Sequence, residues 1–189
     1  MGKAYANRKS LGERNKNDYY ETPKPLIIEL EKLHLIKKTD KVLDCACGIN
    51  RSISGYFNFL GYNFEEKDLI LGNDFLKDDY SDKNYDCVVT NPPFSYWDDF
   101  VKKSKLIAPQ VIMIGRTNYF GAYKRYREGL WDNLKTVYIF DRQIAYNEMY
   151  KGELKFKCGC LITGWFHWDR NYIGKPSIEI IDIQKYLEK

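Results

Sequence analysis

The stretch Tyr85–Phe94, YDCVVTNPPF, decides how this chain is read. Its first half runs apolar and β-favouring through Cys87, Val88 and Val89, as a short buried strand does. Asn91-Pro92-Pro93-Phe94 then stops it. Each proline fixes φ and removes a backbone donor, so two in succession continue neither a ladder nor a helix. What remains is a rigid turn holding one carboxamide, proline carbonyls and one aromatic ring at a strand's end. The Asn91 side-chain carbonyl and the Pro92 backbone carbonyl are both neutral acceptors. Rigid neutral acceptors beside a ring make this turn a candidate site as well as the strand's stop.

Outward from this turn the chain alternates strand and helix patterns. Upstream, TPKPLIIELEKLHLI (Thr22–Ile36) predicts a helix that Thr22 can cap, with Leu26, Ile27, Leu30 and Leu33 at helical spacing. KVLDCACG (Lys41–Gly48) reads as a buried strand ending in a glycine turn, followed by a helix over RSISGYFNFLGY. YNFEEKD reads as a further strand. Downstream, SYWDDFVKKSKLIA is helical, QVIMIG a strand, YKRYREGLWDNL a helix and KTVYIF a strand. CGCLITGWFHW reads as a long strand and SIEIIDI as an edge strand. This alternation implies an α/β fold with a mostly parallel sheet. In such sheets ligands bind beyond the carboxyl ends of the strands. LDCACGINR, FEEKDLILGNDFL and VVTNPPF all end there, and together they make one crevice. The first lacks a second glycine, but Asn50 stands at that position and tolerates a left-handed backbone.

Length and composition agree with one packed domain. The chain has 189 residues, 44% of them hydrophobic and 30% charged, with 16% aromatic. Residues 1–16 are polar and basic with few apolar anchors, so a flexible N-terminal arm is expected before a single domain over 17–189. No apolar run approaches a membrane span, and no signal-peptide core is visible. The formal charge of +4 permits a nucleic-acid partner without requiring one. Five cysteines include the C-x-C pairs Cys45/Cys47 and Cys158/Cys160, a spacing unlike zinc frameworks, and His34 and His167 stand apart. Reduced thiols and no metal site are expected.

The ordered set YYETPKPL, VLDCACG, EEKDLILGNDFL and YDCVVTNPPF resembles class I S-adenosylmethionine-dependent N6-adenine methyltransferases of DNA, in a gamma-like arrangement similar to small bacteriophage versions. The resemblance is specific from about Asp18 to Phe100 and looser through RQIAYNEMYKG to GWFHWDR. It implies a Rossmann-like fold with helices on both faces of a mostly parallel central sheet and an antiparallel C-terminal strand. It also implies S-adenosylmethionine as cofactor and methyl transfer to the adenine amine. On this pattern Tyr20, Thr22 and Pro23 lie at the methionine end of the cofactor. Asp44, Ala46 and Gly48 match the first-strand motif. Asp68 is the ribose-binding carboxylate, with Glu65 and Glu66 as competitors because sequence does not fix the strand register. Asp74 would accept from the cofactor's adenine amine while Phe75 packs on that ring. Asn91, Pro92, Pro93 and Phe94 form the catalytic motif, with Asn91 also touching the cofactor.

On the acceptor side, Arg116, Lys124 and Arg125 belong to a basic-aromatic segment suited to a nucleic-acid backbone, and Tyr146 is a candidate second ring over the base. Asparagine at the first motif position also occurs in RNA adenine or guanine enzymes and in enzymes that methylate glutamine. DNA is the expected partner, RNA the alternative, and a catalytically inactive nucleic-acid-binding relative a third reading. Little chain follows the last strand, so no separate target-recognition domain is expected. Target recognition then falls to loops or to a protein partner. The resemblance places the protein in the cytoplasm of a bacterial or phage-infected cell.

Overall fold

A computed structural model describes residues 20–142 and 162–186. The expected basic arm, Tyr146 and the Cys158/Cys160 pair lie outside the described residues. The elements, in order, are α1 (Lys24–Lys32), β1 (Lys41–Asp44), α2 (Ser52–Phe59), β2 (Asn63–Glu66), β3 (Cys87–Thr90), α3 (Trp97–Ile107), β4 (Gln110–Arg116), α4 (Tyr123–Arg127), β5 (Leu134–Phe140), β6 (Thr163–Asp169) and β7 (Ser177–Ile181).

Among the described residues these strands form one seven-stranded sheet in the order β2-β1-β3-β4-β6-β5-β7. β2, β1, β3 and β4 pair in parallel. β6 inserts antiparallel between β4 and β5. The antiparallel strand expected near the C-terminus is therefore β6, while the last strand, β7, runs parallel to β5 at the edge. β3 is buried at all four positions, as a central parallel strand covered on both faces must be.

Side chains alternate across the pleat into two cores. Val42, Val89, Ile112, Ile114 and Trp165 meet α1 and α2 through Leu26, Ile27, Leu30, Ile53 and Phe57. Leu43, Val88, Met113, Phe166 and Trp168 meet α3 through Trp97, Phe100 and Val101. Each buried indole has an acceptor: Trp97 Nε1 donates to Ile114 O at 2.8 Å, Trp165 to Leu26 O at 3.1 Å and Trp168 to Leu130 O at 2.8 Å. Gly115 leaves room for Trp97, since a Cβ there would lie 2.8 Å from its Cζ2. That close approach seats the start of α3 under the carboxyl end of β4.

Two expectations change. Thr22 does not cap α1: Pro23 is the N-cap residue and no side chain bonds there. Pro25 has no N–H and Leu26 N donates to Pro23 O at 3.0 Å, so the first turn leaves Thr22 little to satisfy. The helix expected over YKRYREGLWDNL closes after Arg127. Gly129 takes φ +67° and Leu130 N turns back to Arg125 O at 3.1 Å, a glycine-terminated helix end.

Candidate active site

Beyond Asp44 the chain leaves β1, turns through Cys45–Arg51 and enters α2. Asp44 is 0% exposed, and its Oδ1 accepts from Thr90 Oγ1 at 2.9 Å. Its Oδ2 has no hydrogen-bond donor at bonding distance among the described residues, and neither does the nearby Ser54 Oγ have a partner. Burial pushes the Asp44 carboxyl up to about 7; the Thr90 hydroxyl, the Ala46 N–H and Ser54 temper that rise without cancelling it. The turn uses two left-handed residues, Gly48 at φ +67° and Arg51 at φ +49°. Asn50, expected to take that conformation, does not. Arg51 does so where it caps α2, and its Nε lies 3.2 Å from Glu66 Oε2.

The end of β2 closes on the same turn. Register places Asp44 opposite Glu66, so these carboxylates mark the ends of adjacent strands. Asp68 sits two residues further on as a brace. Its Oδ2 accepts from Gly48 N at 2.9 Å and its Oδ1 from Ile70 N at 3.0 Å, capping the 3₁₀ turn Leu69–Leu71. The Cys47 thiol lies among these groups and is pushed up to about 12, first by burial and then by Asp44, Asp68 and Glu66. The lip is therefore acidic. It is also apolar at its rim, where Ile49, Leu69, Ile70 and Leu71 are exposed. Cys45, Cys47 and Cys87 are buried free thiols.

Asp74 and Phe75 differ in placement. Asp74 Oδ1 accepts from Leu76 N at 3.2 Å and Oδ2 pairs with Lys77 Nζ at 2.8 Å, and the lysine bond holds its carboxyl below the usual range. Phe75 is 3% exposed, with its ring 4.9 Å from Phe100 and 5.4 Å from Tyr80. It is a core residue, filled by its neighbours, rather than the exposed platform expected of it.

At the end of β3 the Asn91–Phe94 turn has a specific polarity. Asn91 Nδ2 donates to Tyr20 O at 2.9 Å. A carbonyl only accepts, so the amide nitrogen must face Tyr20 and Oδ1 must face away. The Pro93 carbonyl accepts from Tyr96 N at 3.0 Å, closing the 3₁₀ turn Phe94–Tyr96. Asn91 Oδ1 and Pro92 O receive no hydrogen bond among the described residues. The two acceptors read from the sequence are thus the two that local structure leaves unspent. Phe94 lies beside them, with the Arg116 guanidinium 4.3 Å over its ring and Tyr20 at 5.9 Å.

Sequence reasoning named Tyr20 but missed Glu21 and the strap that the two make. Glu21 accepts from Asn50 Nδ2 at 3.0 Å and from Ser52 Oγ at 2.8 Å, while the adjacent Tyr20 carbonyl holds Asn91. Residues 20 and 21 therefore strap the first-strand turn to the Asn-Pro-Pro turn. Thr22 and Pro23 follow, buried, at the entry to α1. Ala46 is half-buried in the turn itself. Arg116 ends β4 beside Phe94, but Arg125 is committed elsewhere. Its Nε lies 2.7 Å from Asp98 Oδ1 and its guanidinium stacks 4.3 Å over Tyr119, pinning α4 to α3. Lys124 projects to solvent, 3.7 Å from Glu128. A groove lined by Asp86, Lys102, Lys103, Pro109 and Arg170 lies at the amino ends of β3 and β4, away from this arrangement.

No protein-family model and no curated protein sequence matches the chain. Solved structures do. A modification subunit assigned to a type I restriction enzyme of Vibrio vulnificus YJ016 aligns with 93% of this chain at a TM-score of 0.59 and 15% identity. The M protein of the type I restriction enzyme EcoKI aligns with 84% at 0.54 and 14% identity. The methyltransferase subunit of a type I restriction-modification system from Streptococcus thermophilus aligns with 88% at 0.50 and 15% identity. The chain has the class I methyltransferase fold. It spans about half the length of these subunits, 49%, 45% and 48% respectively. At such identities the likeness is one of fold, and function has to be argued from the site.

Proposed function

We propose that this class I methyltransferase fold transfers a methyl group from S-adenosylmethionine to the exocyclic N6 amine of adenine in nucleic acid, with DNA as the principal substrate. One observation carries the reading. Among the described residues Asn91 Oδ1 and Pro92 O receive no hydrogen bond at the end of β3, while the Asn91 amide nitrogen and the Pro93 carbonyl are both engaged. That pattern accepts two hydrogens from one amine and offers it no donor.

The other strand ends suit the cofactor. Glu66 and Asp68 make an acidic lip that complements a sulfonium and an ammonium, with the fully buried Asp44 behind it. Left-handed Gly48 lets backbone approach a ligand closely. The exposed rim of Ile49 and Leu69–Leu71 offers apolar surface for a nucleoside. Of the candidate ribose carboxylates, Glu66 fits best: it ends β2 opposite Asp44 with one oxygen 3.2 Å from Arg51, whereas both Asp68 oxygens already accept the backbone N–H groups that brace the turn. Asp74 keeps the cofactor's adenine amine within its role, and Tyr20, Thr22 and Pro23 wall the site through the strap.

When bound, S-adenosylmethionine supplies an electrophilic methyl that leaves sulfur as the new carbon–nitrogen bond forms. Asn91 and Pro92 hold the amine so that its lone pair projects from the base plane. Phe94, backed by Arg116, stacks the base, a contact worth about 1–3 kcal/mol. No side chain has to remove a proton beforehand, because the methylated nitrogen becomes acidic and loses it afterwards. The chain's contribution is position and orientation. A base within a duplex would have to be flipped out to reach this turn.

The test is incubation of the full chain with labelled S-adenosylmethionine and DNA, RNA and protein acceptors in parallel. The expected result is label in DNA recovered as 6-methyladenine. Label recovered in RNA would move the substrate and keep the chemistry, and label in no adenine would refute the reading.

A further inference from the structure

Exposed aromatic side chains lie on the elements that adjoin the acceptor turn, where the Arg125–Asp98 pair ties α4 to the start of α3. Tyr96 follows Phe94 within the 3₁₀ turn and is exposed. β4 then delivers Arg116 over Phe94 and passes into the 3₁₀ turn Thr117–Gly121. That turn is held against the start of α3, with Tyr119 4.7 Å from Trp97. It leads directly into α4, where Tyr123 is 72% and Tyr126 71% exposed, after a partly exposed Phe120. Four aromatic rings thus stand open on the elements that flank Phe94.

The charges around them are cationic once internal pairs are set aside. Asp98 is matched by Arg125 at 2.7 Å and Glu128 by Lys102 at 2.7 Å. Arg127 has no carboxylate partner among the described residues; its Nη1 donates to Tyr123 Oη at 3.2 Å and its guanidinium lies 5.8 Å from that ring. Lys124 is 78% exposed and lies 3.7 Å from Glu128, a carboxylate it shares with Lys102, so this pairing leaves one net positive charge. Rings interleaved with cations fit bases and phosphates of an unpaired strand, because a duplex keeps its base faces stacked on one another.

We propose that Tyr96, Tyr123 and Tyr126, with Lys124 and Arg127, form a stacking track for the unpaired nucleotides that flank the target base, so that the acceptor is single-stranded nucleic acid. This rests on the methyltransferase reading for the meaning of the acceptor turn. The track needs no flipping energy from the enzyme, since an unpaired base already exposes its face. Arg125, by contrast, holds the track in place.

Fluorescence anisotropy on the full chain tests this, using labelled single-stranded DNA, single-stranded RNA of the same sequence, and the matching duplex DNA. Wild type is compared with the double variant Tyr123→Ala/Tyr126→Ala, whose exposed positions leave the core untouched. The expected result is tighter binding of single strand than duplex, and a loss of at least about tenfold on single strands in the variant. A loss on only one sugar type supports the track and names its strand. No loss, or an equal loss on duplex and single strand, overturns it. Calorimetric binding of S-adenosylmethionine, measured on both proteins, separates the two readings. Wild type without cofactor affinity but with ring-dependent single-strand binding would fail as an enzyme and keep the track. Undiminished methylation of duplex DNA by the variant would do the reverse.

Discussion

Replacing Asp44 with asparagine should change how the protein's stability depends on pH. The carboxyl is fully buried and raised from 3.8 to about 7, with burial as the dominant cause. A folded-state pKa above the unfolded one means that the folded protein binds the proton more tightly. The stability contributed by that proton is complete below about pH 4 and is lost as pH rises through about 7. At 1.36 kcal/mol per unit, the full loss is about 4 kcal/mol. Roughly 2.5 kcal/mol of it falls between about pH 5 and pH 8. Asparagine has no such proton, its Oδ1 can still accept from Thr90, and its nitrogen can donate to Ser54 Oγ, an atom now without a partner. Urea unfolding of both proteins across this range is the assay. With a slope of about 2 kcal/mol/M, the variant should gain about 1 M in midpoint relative to wild type between the two pH values. Parallel pH curves would refute the argument, because they would mean that Asp44 is charged and compensated in the folded protein.

Asn91→Asp is nearly isosteric but places a carboxylate oxygen where the amide nitrogen donates to Tyr20 O at 2.9 Å. Two acceptors would face each other, costing about 1–3 kcal/mol and loosening the Tyr20–Glu21 strap; a melting temperature equal to wild type would show that the strap does not depend on this bond. Arg125→Ala should cost about 1 kcal/mol of stability through its partly buried pair with Asp98, and because that pair pins α4, any fall in nucleic-acid affinity should accompany the stability loss. A large affinity loss at unchanged stability would return Arg125 to the acceptor surface.

The sheet was legible because its central strands are short apolar runs closed by residues that cannot continue them, as Pro92 and Pro93 close β3. The turn that follows was legible for the same reason: its two prolines fix φ and carry no N–H, which leaves a rigid, donor-poor strand end. The choice among the candidate ribose carboxylates was not. Glu66 and Asp68 are two apart and share a face of an extended chain, so only the pairing of Asp44 with Glu66 separates them. Phe75 follows an aspartate at a strand-end loop and reads there as a ring on the cofactor's adenine; its packing on Phe100 and Tyr80 is a long-range contact that no local pattern announces. Arg125 sits among equally basic neighbours, and only its contact with Asp98 distinguishes it. The Tyr20–Glu21 strap bridges residues 29 to 71 positions away, beyond any local pattern. Helix α4 ended early because Gly129 adopts a left-handed backbone that the sequence permits but does not require.

The most direct test of the account is the rate of methyl transfer by Asn91→Ala beside its affinity for S-adenosylmethionine. Loss of one of two acceptors should lower the transfer rate at saturating cofactor by at least about 100-fold, with cofactor affinity within a few-fold of wild type. Full activity in the variant, or a loss accounted for wholly by weaker cofactor binding, would contradict the role assigned to the Asn91 carbonyl.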